Sequence, residues 1–255
     1  MDENTLLNLA LEVGEIMLTS GAETNRVEDT IERILSIDFN HTPEAFVTTT
    51  GLFVSINGKI EGSHTKLKRI SNRSVNLEKL SLANSLSRNL VSRKITVEEA
   101  FEELERIKSL PERPAIITLF CYAIVSCMFT FMMGGTISDS IASFFIGFLT
   151  GASVIILSKH KVSTFLTSIF GGAIIAFMAV MIYHYSFGNS YSKIIIGSLM
   201  PLVPGVAITN AIRDIMAGDF LSGTARVVEA VLIAVAIASG VGPVLRIATI
   251  MLGGI

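Results

Sequence analysis

Along the first hundred residues, apolar and polar positions alternate with periods that change several times. Leu6, Leu7, Leu9, Ala10, Val13, Ile16 and Met17 recur at helical spacing, and Ser20-Gly21 ends that helix. A second helix is predicted from residue 23 to about 37, with Val27, Ile31, Ile34 and Leu35 turned inward. Residues 46–56 are rich in β-branched and aromatic side chains, Asn57-Gly58 is a hairpin signal, and residues 59–70 return. Two or three strands both satisfy this stretch. Two more helices follow. Residues 77–91 present Leu77, Leu80, Ala83, Asn84 and Leu90 on one side. Residues 97–109 follow Thr96, whose T-x-x-E spacing to Glu99 is that of a capping box. The order ααβββαα describes a small α+β domain over residues 1–113.

Pro111 and Pro114 mark a boundary, after which long charge-free windows replace the short periods. A crossing needs about 20 apolar residues. Windows at 115–133, 140–158, 163 to about 184, 194–212, and a last one around 230–245 extending from about 221 to 252, predict about five transmembrane helices over residues 114–255. Gly147/Gly151 and Gly171/Gly172 mark close helix contacts.

Charge sharpens this division. Residues 1–113 hold 14 of the 20 Lys+Arg and 18 of the 22 Asp+Glu, leaving ten charges for the remaining 142 residues. The near-neutral total excludes the electrostatic footprint of a nucleic-acid binder. Cations crowd before the first span (Arg88, Arg93, Lys94, Arg106, Lys108, Arg113), between the second and third (Lys159, Lys161), and between the fourth and fifth (Arg213, Arg226). The intervening turns hold none or only Lys193. That alternation predicts a cytoplasmic front domain and five crossings of a lipid bilayer. The acidic, amphipathic start has no positive n-region, which argues against a signal peptide. Cys121 and Cys127 fall in the first span and read as small core residues with no metal or redox role.

The chemistry concentrates in residues 198–229. Pro201 and Pro204 cannot sit in a plain helix, and Gly205 relaxes the backbone, so two half-helices are expected to meet near Pro204-Gly205. A break at membrane depth is tolerable where protein or water covers it, and secondary transporters build substrate sites there. The second half-helix offers its N–H groups to an anion. Along it Asn210, Arg213 and Asp214 share a broad face, Gly218-Asp219 ends it, and Arg226 and Glu229 lie three apart on the last helix. An arginine suits a carboxylate, and Asp214, Asp219 or Glu229 could carry a proton if burial favours its neutral form. A salt-bridge network without a ligand is the plainer alternative. Arg246, after the break-like Gly240–Pro243, either adds a cation or snorkels outward.

In the front domain SGAETNRVE, residues 20–28, gathers small and polar groups at a helix–helix turn. Ser20, Thr24 and Glu28 could line a site, with His41 and His64 as bases; a capped turn with a solvated face is the simpler reading. The cations of residues 66–73 read as a solvated run. No G-x-S-x-G, zinc-ligand spacing or G-x-x-x-x-G-K-[ST] is present, so neither enzyme nor ATP-coupled chemistry is predicted.

SGAETNRVE, NLEKLSLANSLSR and, most specifically, PLVPGVAITNAIRDIMAGDFLSGTARVVEA resemble the threonine/serine exporter family over essentially the whole chain. The likeness is to the front component of its split, two-component members, which are similar to dicarboxylate (succinate) exporter subunits. The resemblance implies a separately encoded, smaller membrane subunit and export of small amino acids or dicarboxylates across a bacterial inner membrane. No cofactor is expected, and homo-oligomer formation is left open. The positions the resemblance carries over are Pro201, Pro204, Gly205, Asn210, Arg213, Asp214, Gly218, Asp219, Arg226 and Glu229. A membrane-anchored hydrolase, or a ligand-sensing domain over residues 1–113, is the alternative from another class.

Overall fold

The computed structural model describes residues 3–37, 41–58, 62–71, 73–111 and 113–252. They form two compact units. One joins Met1–Pro111 to Gly205–Val228, and the other joins Glu112–Pro204 to Glu229–Ile255.

The first unit opens with α1 (Glu3–Thr19) and α2 (Thr24–Leu35), then β1 (His41–Thr48), β2 (Gly51–Gly58) and β3 (Gly62–Arg69), then α3 (Leu77–Val91) and α4 (Val97–Lys108). Helical spacing explains the core. Leu6, Leu9, Val13 and Met17 of α1 are buried against Val27, Ile31 and Ile34 of α2, with Leu86, Leu90, Leu104 and Ile107 from α3 and α4 in the same core. Each such side chain contributes about 1.5–3 kcal/mol by leaving water. On α3 the inward face is Leu80, Ala83, Leu86 and Leu90, whereas the predicted Leu77 is 61% exposed in the helix's first turn. Thr96 and Glu99 close the expected capping box on α4.

The sheet is antiparallel in the order β1-β2-β3. The predicted stretch at 46–56 is two strands, because the chain reverses at Thr49-Thr50, with Thr48 paired to Gly51. Thr48 Oγ1 donates to Gly51 O and accepts from Thr50 N, so a single hydroxyl ties a turn that carries none of the usual Asn or Pro signals. Asn57 and Gly58, read from the sequence as a hairpin turn, are instead ladder residues opposite Ser63 and Gly62, and residues 59–61 lie outside the described residues. Val47, Leu52 and Val54 point into the core. Lys66 and Lys68 of β3 reach α1 instead, at Asn8 (2.7 Å) and Glu15 (3.0 Å).

The second unit contains α5 (Ala115–Met132), α6 (Ile137–Lys159), α7 (Thr164–His184) and α8 (Tyr191–Leu199), followed by a single 3-10 turn, Met200–Leu202. After Val203-Pro204 the chain continues as α9 (Gly205–Met216) and α10 (Phe220–Met251). The helices of this unit bury small residues beside a few isoleucines such as Ile146 and Ile175, and expose many large apolar side chains. Ala142, Ala176 and Ala179 are buried, while Phe131, Phe145, Phe170 and Phe177 are more than half exposed. That arrangement suits lipid rather than water. Among the described residues, four helices are long and apolar enough to cross a membrane, or five if the broken α8/α9 pair is one span. Glycines set the contacts: a Cβ on Gly147 would lie 2.4 Å from Ser126 Oγ, and one on Gly172 2.7 Å from Ile237 O. Asp139, buried, closes a capping box with Thr136 and also accepts the N–H groups of Asn189 (2.7 Å) and Ser190 (3.1 Å).

Two expectations change. Gly240–Pro243 does not break α10, which runs through Pro243 to Met251. Gly240 serves packing instead, since a Cβ there would lie 2.1 Å from Ile169 O. Cys121 is exposed and Cys127 half-buried, so neither is a core residue.

Candidate functional site

Two helix–turn–helix segments meet inside the first unit. The first is α1–α2. Gly21 takes φ +97°, Gly21 N donates to Leu18 O and Ala22 N to Met17 O, which is the paired bonding of a Schellman C-cap. The second is α9–α10. Gly218 takes φ +94°, Gly218 N donates to Ile215 O and Asp219 N to Asp214 O, the same motif again. Asp219 Oδ1 then accepts Ser222 N at 3.1 Å and so caps α10. Gly223 lets the two helices approach, because a Cβ there would lie 2.5 Å from Ile215 Cγ1 and 3.1 Å from Ala211 O.

The two turns are joined by polar bonds. Asn210 Nδ2 donates to Gly21 O at 2.8 Å, and Arg226 Nη2 donates to Ala22 O at 2.8 Å. Thr24 N donates to Asp214 Oδ1 at 3.1 Å, and Thr24 Oγ1 donates to Asp219 Oδ2 at 2.5 Å. Arg226 Nε lies 3.1 Å from Asp214 Oδ2, an ion pair 6% and 0% exposed on its two sides. This contact lies off the N–H direction and is held by charge rather than by a hydrogen bond. Arg213, 63% exposed, pairs with Glu23 at the rim.

Electrostatics account for the buried charge. Thr24 opens α2, so Asp214 and Asp219 face a helix N-terminus, where unpaired N–H groups and the dipole favour anions. Burial alone would raise the Asp219 pKa, but bonds from Thr24 and Ser222 and the Arg226 charge hold it below the usual range. Glu23 behaves similarly: burial opposes its charge, and Arg213 and Arg26 outweigh that and lower its pKa. Glu28, one turn along α2 from Thr24, accepts Val47 N at 2.7 Å. Its pKa is raised, first by burial and then by the charges of Asp219, Glu32 and Asp214, against the lowering bond from Val47.

Of the residues singled out from the sequence, Asn210, Asp214, Asp219 and Arg226 stand together, with Arg213 at their edge. Gly205 is exposed at the opposite end of α9, nine residues from Asp214 or roughly 13 Å along the helix axis. Pro204 and Glu229 belong to the second unit, where Glu229 is exposed. The cluster's other half, Gly21, Ala22 and Thr24, lies in SGAETNRVE. Its carbonyl contributions leave no trace in side-chain chemistry, and only the glycine at a helix end signals the turn. Ser20 is buried and His64 exposed. Among the described residues, no group of three or more His, Cys, Asp or Glu is placed to hold a metal ion. A hollow of about 420 Å³ in the second unit, lined by Tyr183, His184, Ser186 and Asn189 among others, includes none of the predicted site residues.

Residues 8–248 match a family profile described as "Putative threonine/serine exporter". The chain is 23% identical over 254 residues to a curated protein named "Threonine/serine exporter" from Corynebacterium glutamicum, covering 96% of this chain and 52% of that protein. It is 25% identical over 239 residues to "Pheromone-regulated membrane protein 10" of Pichia sorbitophila, covering 88% of this chain and 23% of that protein. The chain thus spans about half the length of the first relative and about a quarter of the second. No solved structure matches it.

Proposed function

The chain belongs to the threonine/serine exporter family, and from that premise we propose that it is the front component of a secondary-active exporter of threonine and serine. It works with a separately encoded, smaller membrane subunit in a bacterial inner membrane. The broken α8/α9 pair is one of five crossings, and residues 1–113 face the cytoplasm on the side of the cation-rich loops.

What supports the site is how Thr24 is held. Its N–H lies on Asp214 and its hydroxyl on Asp219, while Arg226 and Asn210 bond the carbonyls of Ala22 and Gly21. A free threonine or serine carries the same complement of groups as ammonium, hydroxyl and carboxylate. In the proposed exchange the turn at residues 20–24 withdraws. The substrate ammonium then takes Asp214, its hydroxyl takes Asp219, and its carboxylate takes Arg226 and Asn210. The arginine fork is suited to that carboxylate.

This charge balance favours the amino acids over succinate. Two carboxylates face one buried guanidinium, so a dianion meets an excess of negative charge; at 4 Å and an effective dielectric of 20, each like-charge contact costs about 4 kcal/mol. A coupling proton belongs on Glu28 in this reading, since it lies beside the cluster and burial favours its neutral form. Asp219, held charged, is a poor carrier.

The test is export of labelled threonine, serine and succinate from vesicles holding this chain with and without its partner, with and without a proton gradient. Threonine and serine flux that needs both chains is expected, and Arg226→Ala should abolish it while the protein stays in the membrane. Undiminished flux through Arg226→Ala would remove the site.

A further inference from the structure

Another hollow of the first unit, about 330 Å³, opens between α2 and α3. Arg26, Thr30 and Arg33 line it from α2, and Asn84, Ser87 and Arg88 line it from α3. These positions recur at three and four residues, so one face of each helix is turned to the hollow. Thr30 and Ser87 are buried. Three guanidinium groups share the wall with a single carboxylate, Asp29. An adjoining hollow of about 280 Å³ shares Arg33 and Val91 and adds Arg93.

The arginines in the first hollow are only lightly engaged by the protein. Arg33 Nε meets Asp29 at 2.8 Å, with both side chains more than half exposed. Arg26 lies 3.9 Å from Glu23, and Arg88 Nη2 reaches Ser85 Oγ at 3.4 Å. Exposed pairs of this kind contribute about 0–1 kcal/mol, so an incoming anion displaces little. Helix dipoles explain only part of the charge. Arg33 and Arg88 occupy last turns, where a cation is favoured, but Arg26 lies in the first turn of α2, where it is not.

We propose that this hollow binds a small polyanion bearing carboxylate or phosphate oxygens. Planar guanidinium forks match both groups, and the volume suits a compact metabolite. Binding here does not depend on the transport site proposed above. The site is placed to act on it, however, because α2 carries Thr24 at one end and Arg26, Thr30 and Arg33 along its length. A ligand that gathers the arginines therefore biases the helix whose first residue holds Asp214 and Asp219.

The experiment is calorimetric titration of the full chain in detergent, at low ionic strength, with citrate and separately with inorganic phosphate. Saturable one-site binding is expected, weakened at least tenfold by Arg33→Gln or Arg88→Gln and weakened by added salt. Arg26→Gln is read in the same way. All three side chains are exposed, so the core should survive, and thermal unfolding checks this. Lys66→Gln, on β3 away from the hollow, should leave binding unchanged. Binding of citrate alone marks a carboxylate ligand and binding of phosphate alone a phosphate ester. Absence of saturable binding of both probes, or binding indifferent to the three arginine variants, overturns the proposal.

Discussion

At the scale of single residues, the Asp214–Arg226 pair decides more than any other contact. Both side chains are buried, and desolvating two charges largely cancels their attraction, so the pair itself adds little net stability. Removing one partner is different, because the other remains buried and uncompensated. Arg226→Ala is therefore expected to cost about 3–5 kcal/mol in thermal or denaturant unfolding in detergent. The double change Arg226→Met with Asp214→Leu should cost clearly less than the sum of the two single changes, and additivity would disprove the coupling. Glu28 makes the opposite kind of prediction. Its folded pKa is raised, so its contribution to stability is full below the unfolded value near 4.3 and is lost as pH rises through the folded value. Glu28→Gln removes that loss. The variant should gain melting temperature relative to the parent at neutral pH, and the gain should shrink as pH falls towards 4. A gain independent of pH would show that Glu28 is not held in that state.

At the scale of elements, much could be read along the chain because it is written in local periods. The 3.6-residue spacing located α1 to α4, T-x-x-E located the start of α4, and Pro201 and Pro204 located the end of α8 and the gap before α9. What escaped was non-local or backbone-borne. The Thr49-Thr50 reversal is tied by the Thr48 hydroxyl and has neither glycine nor proline at its two central positions. Gly240 looks like a helix breaker in sequence, yet it exists because the backbone of α7 passes where a side chain would stand. The bond from Thr24 to Asp214 spans 190 residues, and no period of three or two reports such a partner. The paired Schellman turns are the elements to test. At Gly21 and Gly218 the positive φ makes alanine unfavourable by about 1–2 kcal/mol. Gly21→Ala and Gly218→Ala should each lower the unfolding midpoint by that amount. Gly205→Ala, which has open space and no positive φ, should cost less, and equal losses at all three positions would refute the argument.

At the scale of the whole molecule, the proposed site ties substrate choice to charge balance rather than to the shape of any one pocket. Asp214, Asp219 and Arg226 carry one net negative charge, and the groups opposite the cluster are an N–H and a hydroxyl, which donate to the carboxylates, and two backbone carbonyls, which accept from Arg226 and Asn210. A zwitterion with a hydroxyl replaces those groups one for one and leaves the balance unchanged. A dicarboxylate cannot, because only one of its ends finds a cation in the cluster. The substrate ranking is therefore predicted to depend on Asp214 in a particular way. Export of threonine and serine should fall at least tenfold in Asp214→Asn, which keeps the shape but loses the charge proposed to receive the ammonium. Succinate, which this charge balance predicts the parent to carry poorly, should be carried no worse by the variant, and better if repulsion from Asp214 is what excludes it. Competition assays in vesicles holding both components read this directly, as the ratio of threonine to succinate flux. A ratio that falls in Asp214→Asn places the ammonium on that carboxylate; a ratio that is unchanged while both fluxes collapse assigns Asp214 to holding the fold and moves the substrate site elsewhere in the protein.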